Sequence, residues 1–303
     1  MIRRALAVAL LLGPPCLFAE SIIDRAGLGQ LKTIRVNEVE IHYLERGQGM
    51  PVILIHGGLG DYREWTAQIP ALASGYRVIA YSRRYNFPNS NPTIAPNHSA
   101  LVEADDLAGL IDALKLERVH LVGYSYGGFT ALCYATQHPD RVRSLTLAEP
   151  PVLDWLKNID GGQVERDRFL QDMWRPAAQA FQRDKPEEAL RITCDYFSGK
   201  GSYDQMPKQV RDMLQDNVRE WKALTTSTDA FPPLGRDVVQ KLALPILLIS
   251  GEKTLPPLRM IHEELLRLLP WAEELSLPNA THDMWIEEPE ACGRALRNFL
   301  EGN

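Results

Sequence analysis

Residues 119–128 read VHLVGYSYGG, an apolar run that leads directly into the pattern Gly-x-Ser-x-Gly. The apolar run is typical of a buried strand, and residues 128–136 have the spacing of a helix. A strand that turns sharply into a helix needs residues without side chains at the turn, and Gly123 and Gly127 meet that need. The turn exposes the hydroxyl of Ser125 at the edge of a sheet, so we expect Ser125 to be a nucleophile.

The rest of the chain repeats this strand pattern and separates the strands by helical patterns. Further apolar runs that predict strands occupy residues 52–55, 78–81, 145–148 and 246–249. Helical patterns occupy residues 65–72, 101–114, 260–269 and 289–300. Continuous apolar runs indicate strands covered on both faces, and their alternation with helices indicates parallel neighbours. We therefore predict an α/β fold with a mostly parallel sheet flanked by helices, which begins with an antiparallel hairpin at residues 34–45.

The alternation of strand and helix stops after Pro150 and resumes at Pro245. No strand-like run occurs between them, and Trp, Met and charged residues recur there at helical spacing. We interpret residues 151–240 as a helical cap inserted into a core of residues 20–150 and 241–303, because ligand sites commonly form between a sheet edge and the element that covers it. The alternative is a second domain that is unrelated to any active site.

A histidine in a loop near the end of the chain is the best candidate for a general base. Residues 278–282 read PNATH and lie between a short predicted strand, residues 274–277, and the last helix. Such a loop can bring the imidazole of His282 over the sheet edge. There it can accept the proton of Ser125 near neutral pH and return that proton to a leaving group.

Two backbone N–H groups are candidates for an oxyanion hole. Residues 56–60 read HGGLG and directly follow a strand, so this loop can present an N–H group to Ser125. We predict Gly58 as the first donor, with Leu59 as the alternative. The second predicted donor is Tyr126, because it follows the nucleophile. Loss of one such donor typically costs about 3 kcal/mol of transition-state stabilisation.

With these motifs, the chain resembles the α/β-hydrolase superfamily over residues 32–300. The resemblance depends on the motifs at residues 56–58, 123–127 and 279–282, which have the order and spacing of that family. It implies an α/β-hydrolase fold and a catalytic triad whose members follow one another as Ser, acid and His.

The acid of the implied triad departs from the usual family pattern. The resemblance places it after the strand at residues 246–250, but Thr254 stands where an Asp is expected. The superfamily includes enzymes whose acid follows the preceding strand, and this chain has Glu149 there. We therefore predict Glu149 as the acid that orients His282. Two alternatives remain open: Glu149 caps the following turn or pairs with an arginine, and Glu252 reaches the histidine instead.

The predicted reaction is hydrolysis of an ester-type bond, in a carboxylic ester or a lactone, through an acyl-Ser125 intermediate. This chemistry needs no cofactor and no metal. A serine at the turn, rather than an aspartate, argues against the dehalogenase and epoxide hydrolase reactions of the wider family. Hydrolysis of a carbon–carbon bond remains an alternative, as does a receptor of the same fold that binds a small molecule and turns over little.

Composition and charge limit the class of partner. The chain has 303 residues, a net charge of −6 at pH 7 and no cluster of Lys and Arg. Binding of nucleic acid needs concentrated positive charge, so we do not expect it here. The expected partner is a small-molecule substrate, and the sequence makes no prediction about the oligomeric state.

The N-terminus has the pattern of a secretory signal peptide. A basic stretch that includes Arg3 and Arg4 is followed by an apolar run too short to span a bilayer, and Ala19 is a small residue at a candidate cleavage site. We predict that residues 1–19 are removed and that the mature protein is exported, without stable insertion in a membrane. After periplasmic expression, the intact mass should correspond to a chain that begins near Glu20. A mass that retains Met1 would contradict this prediction.

Overall fold

A sheet of eight strands forms the centre of the structure, a computed structural model that describes residues 30–92 and 96–303. The strands are β1 (Leu31–Val36), β2 (Val39–Arg46), β3 (Pro51–Ile55), β4 (Arg77–Tyr81), β5 (Val119–Tyr124), β6 (Val142–Ala148), β7 (Ile246–Gly251) and β8 (Glu273–Leu277). Their order in the sheet is β1-β2-β4-β3-β5-β6-β7-β8. The hairpin β1–β2 and the pair β2–β4 are antiparallel, whereas β3 to β8 are parallel to one another. The predicted α/β fold with a mostly parallel sheet is confirmed.

Helices connect these strands and cover both faces of the sheet. They are α1 (Ile69–Leu72), α2 (Ala100–Ala113), α3 (Tyr126–Gln137), α4 (Gly162–Phe169), α5 (Arg175–Gln182), α6 (Pro186–Ser198), α7 (Ser202–Gln205), α8 (Lys208–Asp216), α9 (Val218–Thr225), α10 (Arg236–Val239), α11 (Pro256–Leu268), α12 (Met284–Glu287) and α13 (Pro289–Glu301). Short 3₁₀ turns occupy Tyr62–Trp65, Pro139–Arg141 and Leu153–Asn158, and Leu170–Trp174 is a π-helical turn. No helix of the described residues is long and apolar enough to cross a membrane.

Burial on both faces of the sheet explains why its strands are continuous apolar runs. In β3, Ile53 and Ile55 pack in the cluster that includes residues of α2 and α3, whereas Val52 and Leu54 pack with residues of α13 on the other face. Each of these four side chains is fully buried. Burial of one such side chain contributes about 1.5–3 kcal/mol, so a polar residue at any of these positions would destabilise the sheet.

The predicted helix at residues 65–72 is wrong in its first half. The segment forms the 3₁₀ turn Tyr62–Trp65 and then the single turn of α1. Pro70 lies in the first turn of α1. A proline has no N–H group to continue a preceding helix and fits at a helix start, so it separates the two turns.

The long segment between β6 and β7 contains helices and no strand among its residues, all of which are described. It carries α4 to α10, and residues of α4, α5, α6 and α9 pack in the same apolar cluster as α3. This is the segment interpreted above as the inserted cap, and its division from the core at residues 151 and 240 remains a prediction. The predicted signal peptide, residues 1–19, lies outside the described residues.

Candidate active site

The nucleophile candidate occupies a strained turn between β5 and α3. Ser125 has φ 50° and ψ −123°, a left-handed conformation that residues with side chains rarely adopt and that is typical of functional sites. Its N–H group donates to the carbonyl of Ala148, 2.8 Å away at the end of β6. A Cβ atom at Gly123 would lie 2.6 Å from the carbonyl oxygen of Gly127, so the turn requires a glycine. The Ser125 side chain lines a cavity at the carboxyl ends of the parallel strands.

His282 lies within hydrogen-bond distance of this hydroxyl. Its Nε2 atom is 2.9 Å from Ser125 Oγ. His282 lies in the loop between β8 and α12, and residues of α6 and β5 hold it in place. The ring of Phe197 stacks on it with 5.5 Å between centroids, and the Tyr124 hydroxyl donates to the His282 carbonyl at 3.0 Å. The geometry therefore allows a proton to pass from Ser125 to His282.

Glu149 follows β6 directly and reaches the other side of the imidazole. Its Oε2 atom is 2.6 Å from His282 Nδ1, and the carboxylate is fully buried. It also accepts from the Gly251 N–H group at 2.9 Å and from the Thr254 hydroxyl at 2.7 Å. Thr254, which stands where the family pattern has an Asp, thus binds the acid instead of replacing it. An ionised Glu149 holds the proton on Nδ1 and leaves Nε2 free to accept one from Ser125.

The environment of His282 favours its charged form. Burial by itself lowers the pKa of the imidazole, but the hydrogen bond and the charge of Glu149 outweigh burial and raise the pKa above its usual value. The imidazolium that forms when His282 takes a proton is therefore stabilised.

Glu252, the alternative acid, does not approach His282. Its side chain is exposed after β7, where the nearest polar contact is the Ser276 hydroxyl at 3.4 Å. Of the two acids left open by the sequence, the structure brings Glu149 to the histidine.

Of the two candidates for the first oxyanion donor, only Gly58 has an N–H group without a hydrogen bond among the described residues. The Leu59 N–H group donates to Glu220 at 3.1 Å, which removes the alternative. Gly58 and Tyr126 line the same cavity as Ser125. Tyr126 is the first residue of α3, so its N–H group has no acceptor within the helix. Both predicted donors are therefore placed where they can face an oxyanion on Ser125.

The cavity in front of Ser125 has a volume of about 330 Å³ and is mainly apolar. Five of its aromatic side chains come from the segment between β6 and β7 and are Phe169, Trp174, Phe197, Trp221 and Phe231. Several of them contact one another, as Trp174 does with both Trp221 and Phe231. Such a wall suits an apolar organic molecule of small size.

More acidic than basic side chains line the cavity. Among the described residues that line it, the only Lys or Arg is Arg63, which is paired with Asp61 at 2.6 Å and Asp216 at 3.0 Å. Glu64 and Asp283 also line the cavity, and neither forms an ion pair with another residue that the structure describes. Burial raises the pKa of Glu64 to about 7, although the Gly57 N–H group, which donates to it, opposes this effect. No group of three His, Cys, Asp or Glu within residues 30–92 and 96–303 is arranged to hold a metal ion.

Sequence reasoning did not assign a role to three charged residues around the loop at residues 56–60. Glu64 binds the Gly57 N–H group, Arg83 binds the Gly57 carbonyl and Glu220 binds the Leu59 N–H group. A hint was present in Arg83, which lies two residues after the buried strand β4. No local pattern points to Glu220, which is 161 residues from its partner Leu59.

Comparison with known proteins agrees with this geometry. The family model of the alpha/beta hydrolase fold matches residues 50–289. The chain belongs to this family. The resemblance stated from the motifs is thus confirmed, and so is the prediction of an enzyme of the hydrolase class.

Individual relatives differ in their reactions. The chain is 37% identical over 284 residues to a Caulobacter sp. (strain K31) protein named "Putative carbamate hydrolase RutD", a match that covers 87% of this chain and 95% of that protein. It is 40% identical over 114 residues to 2-hydroxy-6-oxo-6-phenylhexa-2,4-dienoate hydrolase of Comamonas testosteroni, but that match spans only 36% of this chain and 40% of the relative. The crystal structure of the enol-lactonase from Burkholderia xenovorans LB400 superposes on this chain with a TM-score of 0.73. The match covers 89% of this chain and 100% of that one, at 20% sequence identity. This similarity is one of fold.

Proposed function

We propose that the protein is a serine hydrolase that cleaves ester-type bonds, in carboxylic esters or lactones, of small uncharged molecules. The observation that carries this proposal is the continuous hydrogen-bonded series of Ser125, His282 and Glu149, with distances of 2.9 and 2.6 Å, at the wall of an apolar cavity. No other group in the described part of that wall pairs a nucleophile with a base in this way.

The reaction follows from the positions of these atoms. Ser125 Oγ attacks the carbonyl carbon while its proton moves to His282 Nε2, and the carbonyl oxygen becomes an oxyanion beside the N–H groups of Gly58 and Tyr126. Collapse of this intermediate breaks the bond to the alkoxide, which leaves with the proton from His282. Water then repeats the sequence: it gives a proton to His282, attacks the acyl group and releases the acid, and Ser125 recovers its proton.

The charges of the cavity support an uncharged substrate. A buried carboxylate on the substrate needs a cation, but Arg63 is already shared by Asp61 and Asp216. Glu64 and Asp283, which also line the cavity, offer no positive charge to such a group. The relative from Comamonas testosteroni acts on a dienoate, which carries such a carboxylate. This contrast favours ester or lactone hydrolysis over the carbon–carbon reaction for this chain.

A pair of esters matched in size tests the proposal. We expect p-nitrophenyl pentanoate to be hydrolysed with a kcat/KM at least about tenfold higher than the p-nitrophenyl monoester of succinic acid, because an unpaired charge is penalised in the cavity. Preference for the succinate ester would contradict the uncharged substrate class.

A fluorophosphonate probe tests the class of reaction independently of the substrate. It should label Ser125, as shown by peptide mass spectrometry, because the proposed nucleophile is activated by its base. A protein that binds these esters but neither hydrolyses them nor reacts with the probe would be a receptor of this fold instead. Turnover of a dienoate with a carbon–carbon bond to break, and of no ester or lactone, would favour the alternative hydrolase.

A further inference from the structure

The loop that carries the Gly58 donor is held by the side chains of three ionisable residues. The Gly57 N–H group donates to Glu64 at 2.8 Å, the Gly57 carbonyl accepts from Arg83 Nη2 at 3.0 Å, and the Leu59 N–H group donates to Glu220 Oε2 at 3.1 Å. These three hydrogen bonds occupy backbone groups of Gly57 and Leu59, the residues on either side of Gly58.

Two contacts of the Gly57 carbonyl set the direction of the Gly58 N–H group: the carbonyl accepts from Arg83 Nη2 at 3.0 Å and lies 2.9 Å from His56 Nδ1. The Gly57 carbonyl and the Gly58 N–H belong to one trans peptide unit, so they point in opposite directions. A carbonyl directed at Arg83 therefore directs the N–H away from it. A Cβ atom at Gly57 would lie 3.2 Å from the Cβ of Ser125, so this peptide unit lies beside the nucleophile.

A residue in the segment between β6 and β7 binds Arg83 in turn. Its Nη2 atom is 2.6 Å from Oε1 of Glu220, in α9, and both side chains are fully buried. Its Nη1 atom contacts both oxygens of Glu103, at 2.7 and 2.6 Å. Glu220 thus uses one oxygen for the arginine and the other for the Leu59 N–H group.

A second contact from α9 reaches the same loop. The ring of Trp221 lies so close to Gly58 that a Cβ atom there would be 2.9 Å from it. Leu59 has φ 59°, a left-handed conformation that costs energy and persists only where neighbours impose it. The loop conformation therefore depends on α9 as well as on the core.

We propose that Glu220, through Arg83 and Leu59, is a positioning residue that aims the Gly58 N–H group at the oxyanion on Ser125. This proposal rests on the proposed function. Through α9, the segment between β6 and β7 thereby affects the rate of the chemical step as well as the shape of the cavity.

The variant Glu220→Gln separates positioning from packing. Both carboxylate oxygens of Glu220 accept hydrogen bonds, whereas a glutamine offers one acceptor and one NH₂ group, so it must leave Arg83 or Leu59 without its partner. Arg83 stays neutralised by Glu103, so we expect the variant to fold. The control is Glu187→Gln in α6, because Glu187 belongs to the same segment but its side chain is 64% exposed.

We expect kcat and the rate of Ser125 labelling by a fluorophosphonate to fall about 10- to 100-fold in Glu220→Gln, somewhat less than the loss of a whole donor. KM should stay within about threefold, since ground-state contacts are kept. Affinity for a trifluoromethyl ketone, which adds to serine and forms an oxyanion, should fall in parallel with kcat, while affinity for the methyl ketone of equal chain length should not change. Glu187→Gln should behave as the wild type.

Other outcomes overturn the proposal. Equal labelling of the wild type and Glu220→Gln, or equal losses for the two ketones, would show that Glu220 only supports the fold. If Glu220→Gln does not fold, Arg83→Lys carries the same test, because it keeps the buried positive charge but cannot donate in the fork geometry of arginine. A wild-type protein that is not labelled at Ser125 overturns the proposed function and this inference with it.

Discussion

Replacement of Ser125 by alanine should reduce kcat by a factor on the order of 10⁶, because loss of a serine nucleophile removes the acyl-enzyme route altogether. The side chain is small and faces the cavity, so its removal leaves no void in the core. The free energy of unfolding should therefore change by no more than about 0.5 kcal/mol. Substrate binding should persist, since the apolar wall of the cavity is unchanged.

The measurement combines ester hydrolysis, fluorophosphonate labelling and thermal unfolding. The matched control is Ser198→Ala, because Ser198 lines the same cavity at the end of α6 but, among the described residues, forms no hydrogen bond with His282 or Glu149. We expect this control to retain activity and labelling. Near-normal turnover by Ser125→Ala would move the nucleophile elsewhere in the chain.

The sequence predicted those parts of the fold that depend on local pattern. β3 and β5 to β7 are recognisable because both faces of the sheet are covered, so each of these strands contains a short, nearly continuous apolar run. The turn at Ser125 is recognisable because close backbone contacts there admit only glycine. The first half of the helix predicted at residues 65–72 was wrong, since Pro70 can start a helix as well as interrupt one.

The sequence predicted the residues that take part in the reaction, but not the residues, distant in the chain, that hold them in position. Ser125 and His282 lie in recognisable loops, and Glu149 was found because a strand end near Ser125 carries an acid. Its partner Thr254 was seen only as a departure from the family pattern, and Glu220 lies within an amphipathic helix where a charged residue is ordinary. Contacts between residues more than 100 positions apart depend on the tertiary fold and leave no local pattern.

Replacement of Glu149 by glutamine should lower kcat on the order of 10³- to 10⁴-fold while binding changes far less, as loss of the orienting acid does in serine proteases. Oε1 accepts from Gly251, and Oε2 accepts from Thr254 and lies 2.6 Å from His282 Nδ1. Glutamine has only one acceptor for these donors. If its NH₂ group faces the imidazole, the proton moves to Nε2, which then cannot accept one from Ser125.

The pH dependence shows whether Glu149 acts through the histidine. His282 must be neutral to accept a proton, so kcat/KM rises with pH through the pKa of the imidazole. In the wild type, Glu149 raises that pKa against the lowering effect of burial. In Glu149→Gln this raising effect on the pKa of His282 is lost, so the rise in kcat/KM should move to lower pH while its plateau falls. A variant that had merely lost packing would keep the wild-type midpoint.

The matched change Glu252→Gln distinguishes the two acids left open by the sequence. Glu252 is exposed and does not contact His282, so its replacement should change the activation free energy by no more than about 0.5 kcal/mol, or roughly twofold in kcat. The midpoint of the pH profile should stay where it is in the wild type. If Glu252→Gln instead abolishes turnover and Glu149→Gln is tolerated, the orienting acid follows β7 and not β6, and the catalytic role proposed for Glu149 is wrong.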